Sequence, residues 1–364
     1  MIDLHNTLYV TTENAYLTLD GENVVVKCEG KEAARYPLHT LQGIVSFSYA
    51  GASPALMGAC AERNIGLSFF TPGGKFLAWV SGGTGGNVLL RHTQYRAADD
   101  IFRRVRIARM MIFGKIYNAR WSVERTRRDH AMRINEERFA AASRQLQALL
   151  PQIAEEVSED TLRGLEGVGA AAYFGVMDEM ILSGKETFYF NGRSRRPPLD
   201  PFNAMLSFAY SLLAHDCASA LSGVGLDPYV GFMHTDRAGR ESLALDLMEE
   251  LRPCFADRFV LTLVNNRIMK ASDFDIRESG AVLLSANGRR TFLKHWQQRK
   301  GEKITHPFLE EKIAWGLVPH VQSLLLARAR RKPGTLSRCY IPCSARRACN
   351  RTNAGRTIQN REKL

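Results

Sequence analysis

No stretch of about 18 uncharged apolar residues occurs in the 364-residue chain, so no membrane-spanning helix is expected. The opening MIDLHNTLYV lacks the basic and apolar regions of a secretory signal, and a cytoplasmic location is expected. No Cys-x-x-Cys pair is present. Of seven cysteines, Cys28, Cys60, Cys217 and Cys254 are scattered, while Cys339, Cys343 and Cys349 sit near the end without an adjacent His. That pattern fits reduced thiols and excludes a disulfide framework or a zinc site. The glycine cluster Gly82–Gly86 lacks the Lys-Ser/Thr of a phosphate loop, so a hairpin or loop is expected there. No nucleophile elbow or dinucleotide fingerprint occurs either.

What is present is an ordinary globular composition, 45% hydrophobic and 24% charged, which excludes a mostly disordered chain. The net charge of +12 is unevenly spread. From Arg328 to Leu364 eleven basic residues stand against one acid, leaving 38 basic and 36 acidic residues for the rest. Overall charge is therefore no argument for nucleic-acid binding by the folded body, and a local one is needed. From Arg91 to Arg138 there are thirteen basic and six acidic groups. Ile101, Val105, Ala108, Ile112 and Ile116 recur there at helical spacing, so the arginines lie off a buried stripe. The basic side is either a solvated face or a surface for phosphates.

Residues 1–90 read as β, with short runs at Thr7–Val10, Ala15–Leu19, Val24–Lys27 and Ile65–Phe70, and one helix near Pro54–Arg63. Asp20-Gly21 and Glu29-Gly30 are turn signals between them. Beyond Leu90 the texture is helical. Helices are expected over about 97–147, Glu159–Leu182, Asn203–Leu221, from Ser242, and over Asp257–Asn266, Gly288–Lys300 and Leu309–Arg331. Pro253 is expected to stop or kink the helix that begins at Ser242.

Two groups of residues could carry chemistry. On a helix, Glu166 shares a face with Leu162, Gly169, Ala170 and Tyr173. The small residues leave a lane by which a helix or a ligand can reach the carboxylate. The second group is His234, in the glycine-containing connection Gly231–His234, followed by Asp246, Glu249 and Glu250. The three carboxylates are spaced i, i+3, i+4 and are expected on one helix face with Ser242, opposite Leu243, Leu247 and Leu251. Such a face is either solvated or a cation site. Carboxylates suit Mg²⁺ or Mn²⁺, and a neutral imidazole favours Mn²⁺. An acidic metal site beside a basic helical stretch is a layout expected of a phosphodiester-processing enzyme.

The segments Leu165–Phe174 (LEGVGAAAYF), Arg195–Leu206 (RRPPLDPFNAML), Gly225–His234 (GLDPYVGFMH), Arg240–Pro253, Gly288–Trp296 (GRRTFLKHW) and Thr305–Leu309 (THPFL) make the resemblance specific. In this order they resemble the universal CRISPR-associated adaptation integrase, most nearly its type I-C form. The resemblance implies an α+β chain: an N-terminal β-rich, sandwich-like dimerisation domain (1–90), followed by a larger all-α catalytic domain (91–332). It implies a metal-dependent DNA endonuclease and integrase that inserts short DNA fragments into the CRISPR array by 3′-hydroxyl attack. The metal ligands, for Mg²⁺ or Mn²⁺, fall on Glu166, His234 and Glu249, with Asp246 a further catalytic acid. Arg237 and Arg240, which follow His234, either hold DNA phosphate near the metal or are plain surface residues. Homodimers flanking a dimer of the second-numbered Cas protein are implied, and no membrane. The ending departs from the family: residues 333–364 form a basic tail, expected to be disordered and unnecessary for catalysis. A non-catalytic nucleic-acid scaffold and a transposon-encoded integrase are the alternatives.

Overall fold

The computed structural model describes residues 6–12, 14–63, 65–71, 76–80, 88–155 and 158–329. The expectations for Gly82–Gly86 and for the tail 333–364 lie outside these residues. Strands β1 (Asn6–Val10), β2 (Tyr16–Asp20), β3 (Asn23–Cys28), β4 (Lys31–Pro37) and β5 (Leu41–Ser46) lead into helix α1 (Pro54–Glu62), then β6 (Gly66–Phe70) and β7 (Phe76–Val80). Strands β2, β3 and β4 form an antiparallel meander, with Leu17 opposite Val26 and Val24 opposite Tyr36. At Glu29-Gly30 both residues have positive φ, which the hairpin joining β3 to β4 requires and Gly30 supplies without a steric penalty. The other sheet runs β1-β5-β6-β7, parallel except for the last pair.

Side chains alternate across this four-stranded sheet, and both faces are covered. Ile44 and Leu67 point into a small core with Leu17, Val24, Val26, Leu56 and Cys60. Val45, Phe47 and Phe70 point the other way, into the large core of the helical part. Phe47 packs on Phe208 with ring centroids 6.0 Å apart, and Ser68 Oγ meets His215 Nε2 at 3.0 Å. Burial lowers His215 to about 4, so it stays neutral at this contact.

The helical part begins with α2 (Val88–Asp99), α3 (Ile101–His130), α4 (Glu136–Ala154), α5 (Glu159–Phe174) and the single turn α6 (Met177–Met180). It continues with α7 (Pro201–Gly223), α8 (Ser242–Glu249), α9 (Arg258–Asn265), the hairpin β8 (Phe274–Ile276) and β9 (Val282–Leu284), α10 (Ala286–Gly301), the hairpin β10 (Lys303–Thr305) and β11 (Lys312–Ala314), and α11 (Val318–Ala329). Ser158 caps α5 by accepting from the Thr161 N–H at 3.1 Å. Helices α3, α4 and α5 pack together, and α7, buried on most of its surface, is the central element.

Three expectations are corrected. The helix from Glu159 ends at Phe174, where Gly175 closes it, and does not reach Leu182. The last helix starts at Val318 instead of Leu309, because the intervening residues pair as β11 with β10. The helical part is therefore not wholly α: it carries two short hairpins. The helix that begins at Ser242 does stop ahead of Pro253, as expected: α8 ends at Glu249. Having no N–H to give, Pro253 sits in a widened π turn, Arg252–Asp257, that joins α8 to α9. No helix among the described residues is long and apolar enough to cross a membrane.

Candidate active site

Helices α3, α5 and α8, the π turn after α8 and the loop before it converge on a cavity of about 300 Å³. Gly169 brings α5 close to α3: a Cβ there would lie 2.2 Å from Ile116 Cδ1. The lane suggested by the small residues is thus filled at Gly169 by the neighbouring helix, while Ala170 and Glu166 line the cavity.

The loop Gly231–His234 is wrapped around one carboxylate. Asp246, wholly buried on α8, accepts from the backbone N–H groups of Phe232 at 2.6 Å, Met233 at 2.9 Å and His234 at 2.9 Å. It also meets His234 Nδ1 at 2.6 Å. With Asp246 accepting, Nδ1 carries the proton and Nε2 is left as an acceptor facing the cavity. Gly231 is required here, since a Cβ would stand 2.7 Å from Ser242 Cβ and 2.9 Å from the His234 carbonyl oxygen. Arg163 ties the loop to α5, donating to the Met233 carbonyl at 2.8 Å and to Glu159 at 2.7 Å.

Glu249, one turn beyond Asp246, has its Oε1 3.9 Å from His234 Nε2 and 2.9 Å from an Arg252 nitrogen. Lys115 of α3 reaches in from the opposite wall. Its Nζ is 2.8 Å from Glu249 Oε2 and is ion-paired and hydrogen-bonded to Glu166 Oε1. Burial alone would raise the Glu249 carboxyl, but Arg252 and Lys115 outweigh it and bring it down to about 2. Lys115 is pulled towards its neutral form by burial, yet the charges of Glu249 and Glu166 hold it above the usual lysine value.

The structure thus brings Glu166, His234, Asp246 and Glu249 together. Glu250 does not join them. It turns to the far side of the helix, where its Oε1 accepts from Gln322 Nε2 at 2.6 Å and burial pushes it up to about 8. The expected shared face of Asp246, Glu249 and Glu250 is corrected accordingly, and none of the three is solvated. Arg237 and Arg240 lie on the turn after His234 and do not line the cavity. Its cations are Lys115, Arg163, Arg193, Arg195 and Arg252.

Sequence reasoning missed a second cluster on the same cavity. Asp257, on the π turn, accepts from Tyr210 Oη at 2.5 Å and Tyr173 Oη at 3.1 Å. Burial raises it to about 6 against those two hydrogen bonds. The guanidinium groups of Arg252 and Arg193 lie over the Tyr210 ring at 4.8 and 5.3 Å. Lys115 left one signal: it is the lone lysine among the arginines of 91–138, next to the buried stripe through Ile112 and Ile116.

Among the described residues no three His, Cys, Asp or Glu side chains stand close enough together to hold an ion as they are. The chemistry of the donors nevertheless suits one. Two carboxylates already share a cation, Lys115, and an imidazole nitrogen lies 3.9 Å from an oxygen of one of them, Glu249.

Residues 8–298 match the family model described as CRISPR associated protein Cas1. A CRISPR-associated endonuclease Cas1 of Chlorobaculum tepidum is 46% identical over 323 residues, spanning 89% of this chain and 94% of the relative. Among solved structures, a casposase bound to integration product superposes with a TM-score of 0.78 at 22% identity, covering 94% of this chain and 96% of that one. A chain of a Cas6-RT-Cas1–Cas2 complex gives 0.75 at 21% identity, covering 93% of this chain and 36% of the longer one. At those identities the two structures share the fold. The match across the β-rich part, α5 and the loop–helix unit around Asp246, together with a relative covered almost end to end, places the chain in the Cas1 family of CRISPR-associated proteins.

Proposed function

We propose that the protein is a metal-dependent DNA endonuclease and integrase of CRISPR adaptation. The observation that carries this reading is the convergence of Glu166 Oε1, Glu249 Oε2 and the His234 ring on one cavity whose wall also bears Arg163, Arg193, Arg195 and Arg252. The acidic and imidazole donors suit Mg²⁺ or Mn²⁺, and the arginines suit a phosphodiester. Glu166, His234 Nε2 and Glu249 would hold the cation. When bound, it supplies Lewis-acid charge to the attacked phosphate and eases deprotonation of the nucleophile.

Asp246 acts through His234. By accepting from Nδ1–H and three loop N–H groups, it fixes the ring with Nε2 towards Glu249. The arginines neutralise phosphate charge as a bond forms from an incoming 3′-hydroxyl oxygen to phosphorus. The bond from phosphorus to the neighbouring 3′ oxygen then breaks and leaves a new 3′-hydroxyl. Water in place of the hydroxyl gives hydrolysis at the same site. Arg237 and Arg240, outside the cavity, would meet DNA flanking the reacting phosphate. The solved complex of related fold that contains Cas1 and Cas2 supports assembly with a Cas2 partner, and the family resemblance supports a homodimer paired through residues 1–90. Glu166→Ala, His234→Ala and Glu249→Ala should each abolish Mn²⁺-dependent cleavage and strand transfer of labelled DNA. Near-normal turnover in any of the three removes that residue from the ligand set.

A further inference from the structure

Lys115 lies between the proposed metal ligands, and the proposed reaction leaves it without a role. It is the only group that touches both Glu166 and Glu249 among the contacts described, and its side chain is 13% exposed. Glu249 is tighter still, at 5%, and its two oxygens are divided between Lys115 and Arg252. Two carboxylates held this close repel one another unless a cation lies between them. Resting on the reading of Glu166, His234 and Glu249 as metal ligands, we propose that Lys115 is a built-in stand-in for the metal. Its ammonium keeps the two carboxylates converged in the metal-free protein and gives up that position when a divalent cation enters.

Three physical consequences follow from the position of Nζ. Lys115 and Arg252 together already balance the two carboxylates, so a divalent ion that must displace the ammonium is bound less tightly than it would be between the same carboxylates without Lys115. The preformed convergence means that the carboxylates need little rearrangement when the exchange occurs. The displaced ammonium stays in a cavity that already presents Arg163, Arg193 and Arg195, where a DNA phosphate can accept it. Metal and DNA are therefore coupled: each makes the other's binding more favourable, because the phosphate gives Lys115 a new partner. Lys115 is a positioning residue on this account, and its charge sets the metal affinity.

The test is Mn²⁺ binding by the full chain after chelator treatment, followed by electron paramagnetic resonance of free Mn²⁺ and independent of turnover. K115M should bind Mn²⁺ at least about tenfold more tightly than the wild type, since no ammonium must be displaced. Its metal-free form should unfold at lower urea concentration, and Mn²⁺ should restore more of its stability than in the wild type. K115Q, which keeps a polar tip, serves if K115M does not fold, with the same expectation. Equal or weaker Mn²⁺ binding in these variants overturns the proposal for Lys115, provided that wild-type binding disappears in E249Q. If E249Q binds Mn²⁺ as the wild type does, the metal-site reading itself has failed, and the proposal falls with it.

Discussion

Removing the Asp246 carboxylate should cost far more stability than removing Glu166, although Glu166→Ala should abolish activity and Asp246→Ala only weaken it. Asp246→Ala strands four donors at once: the N–H groups of Phe232, Met233 and His234, and His234 Nδ1. Phe232 and Met233 are buried, so their N–H groups find no water in exchange. Each stranded buried donor costs about 1–3 kcal/mol. His234 is only partly buried and recovers some hydration, which brings the expected total to about 3–6 kcal/mol. Glu166 is more exposed, and its loss leaves Lys115 with a partner in Glu249, so Glu166→Ala should stay within about 1 kcal/mol of the wild type. Urea unfolding of chelator-treated protein, read by tryptophan fluorescence, separates the two. A wild-type midpoint for Asp246→Ala would refute the account of the His234 loop as a structure organised around that carboxylate.

Gly231→Ala should lower DNA cleavage at least about tenfold and cost about 1–3 kcal/mol, because the new methyl group meets backbone and Asp246 rather than a flexible tip; wild-type cleavage would contradict this. Glu250→Gln tests the buried carboxyl that is raised to about 8. The folded state holds this proton while the unfolded state releases it near the ordinary value, so wild-type stability should fall between those limits as pH rises. The fall should be at most about 1.4 kcal/mol per pH unit, and the gain from Glu250→Gln should grow over the same window and level off above pH 8. A gain independent of pH would exclude burial of an ionisable group as the cause. Glu249, depressed to about 2, contributes stability that is present above its ordinary value near 4.5 and lost as pH falls towards 2. In metal-free protein, Glu249→Gln should flatten the acid limb of a stability profile in that window. Deleting residues 333–364 should reduce the salt dependence of DNA binding and leave strand transfer near normal at low salt; loss of transfer would contradict that view of the tail.

The parts of the site that were legible in the sequence are those built from local spacing. Asp246 and Glu249 lie one turn apart, and His234 lies on the short loop that Asp246 holds, so residue types and their order already place them together. What was not legible comes from elements far apart in the chain. Lys115 is 51 residues from Glu166, and nothing in its own helix says which side chains the opposite wall will offer. The Tyr173–Asp257–Tyr210 cluster joins three elements in the same way. The shared face expected for Glu250 was not legible, because spacing identifies a helix face but not what packs on it, and α11 covers that side with Gln322. In the β-rich part, β2, β3 and β6 announced themselves by branched and aromatic residues. Strand β4 (KEAARYP) did not, since it lies largely exposed at the edge of its sheet and needs no apolar alternation.

The four-stranded sheet is also a party wall. Because Ile44 and Val45, one residue apart, belong to different cores, neither side can be taken away without laying bare the other. A fragment that began at residue 91 would leave Phe208 and His215 facing water where Phe47, Ser68 and Phe70 now stand. The change in composition near residue 90 is therefore a change of architecture and not a line along which the protein can be cut. Any chain fused to it, or tag added to it, belongs at the ends of the polypeptide and not at that junction.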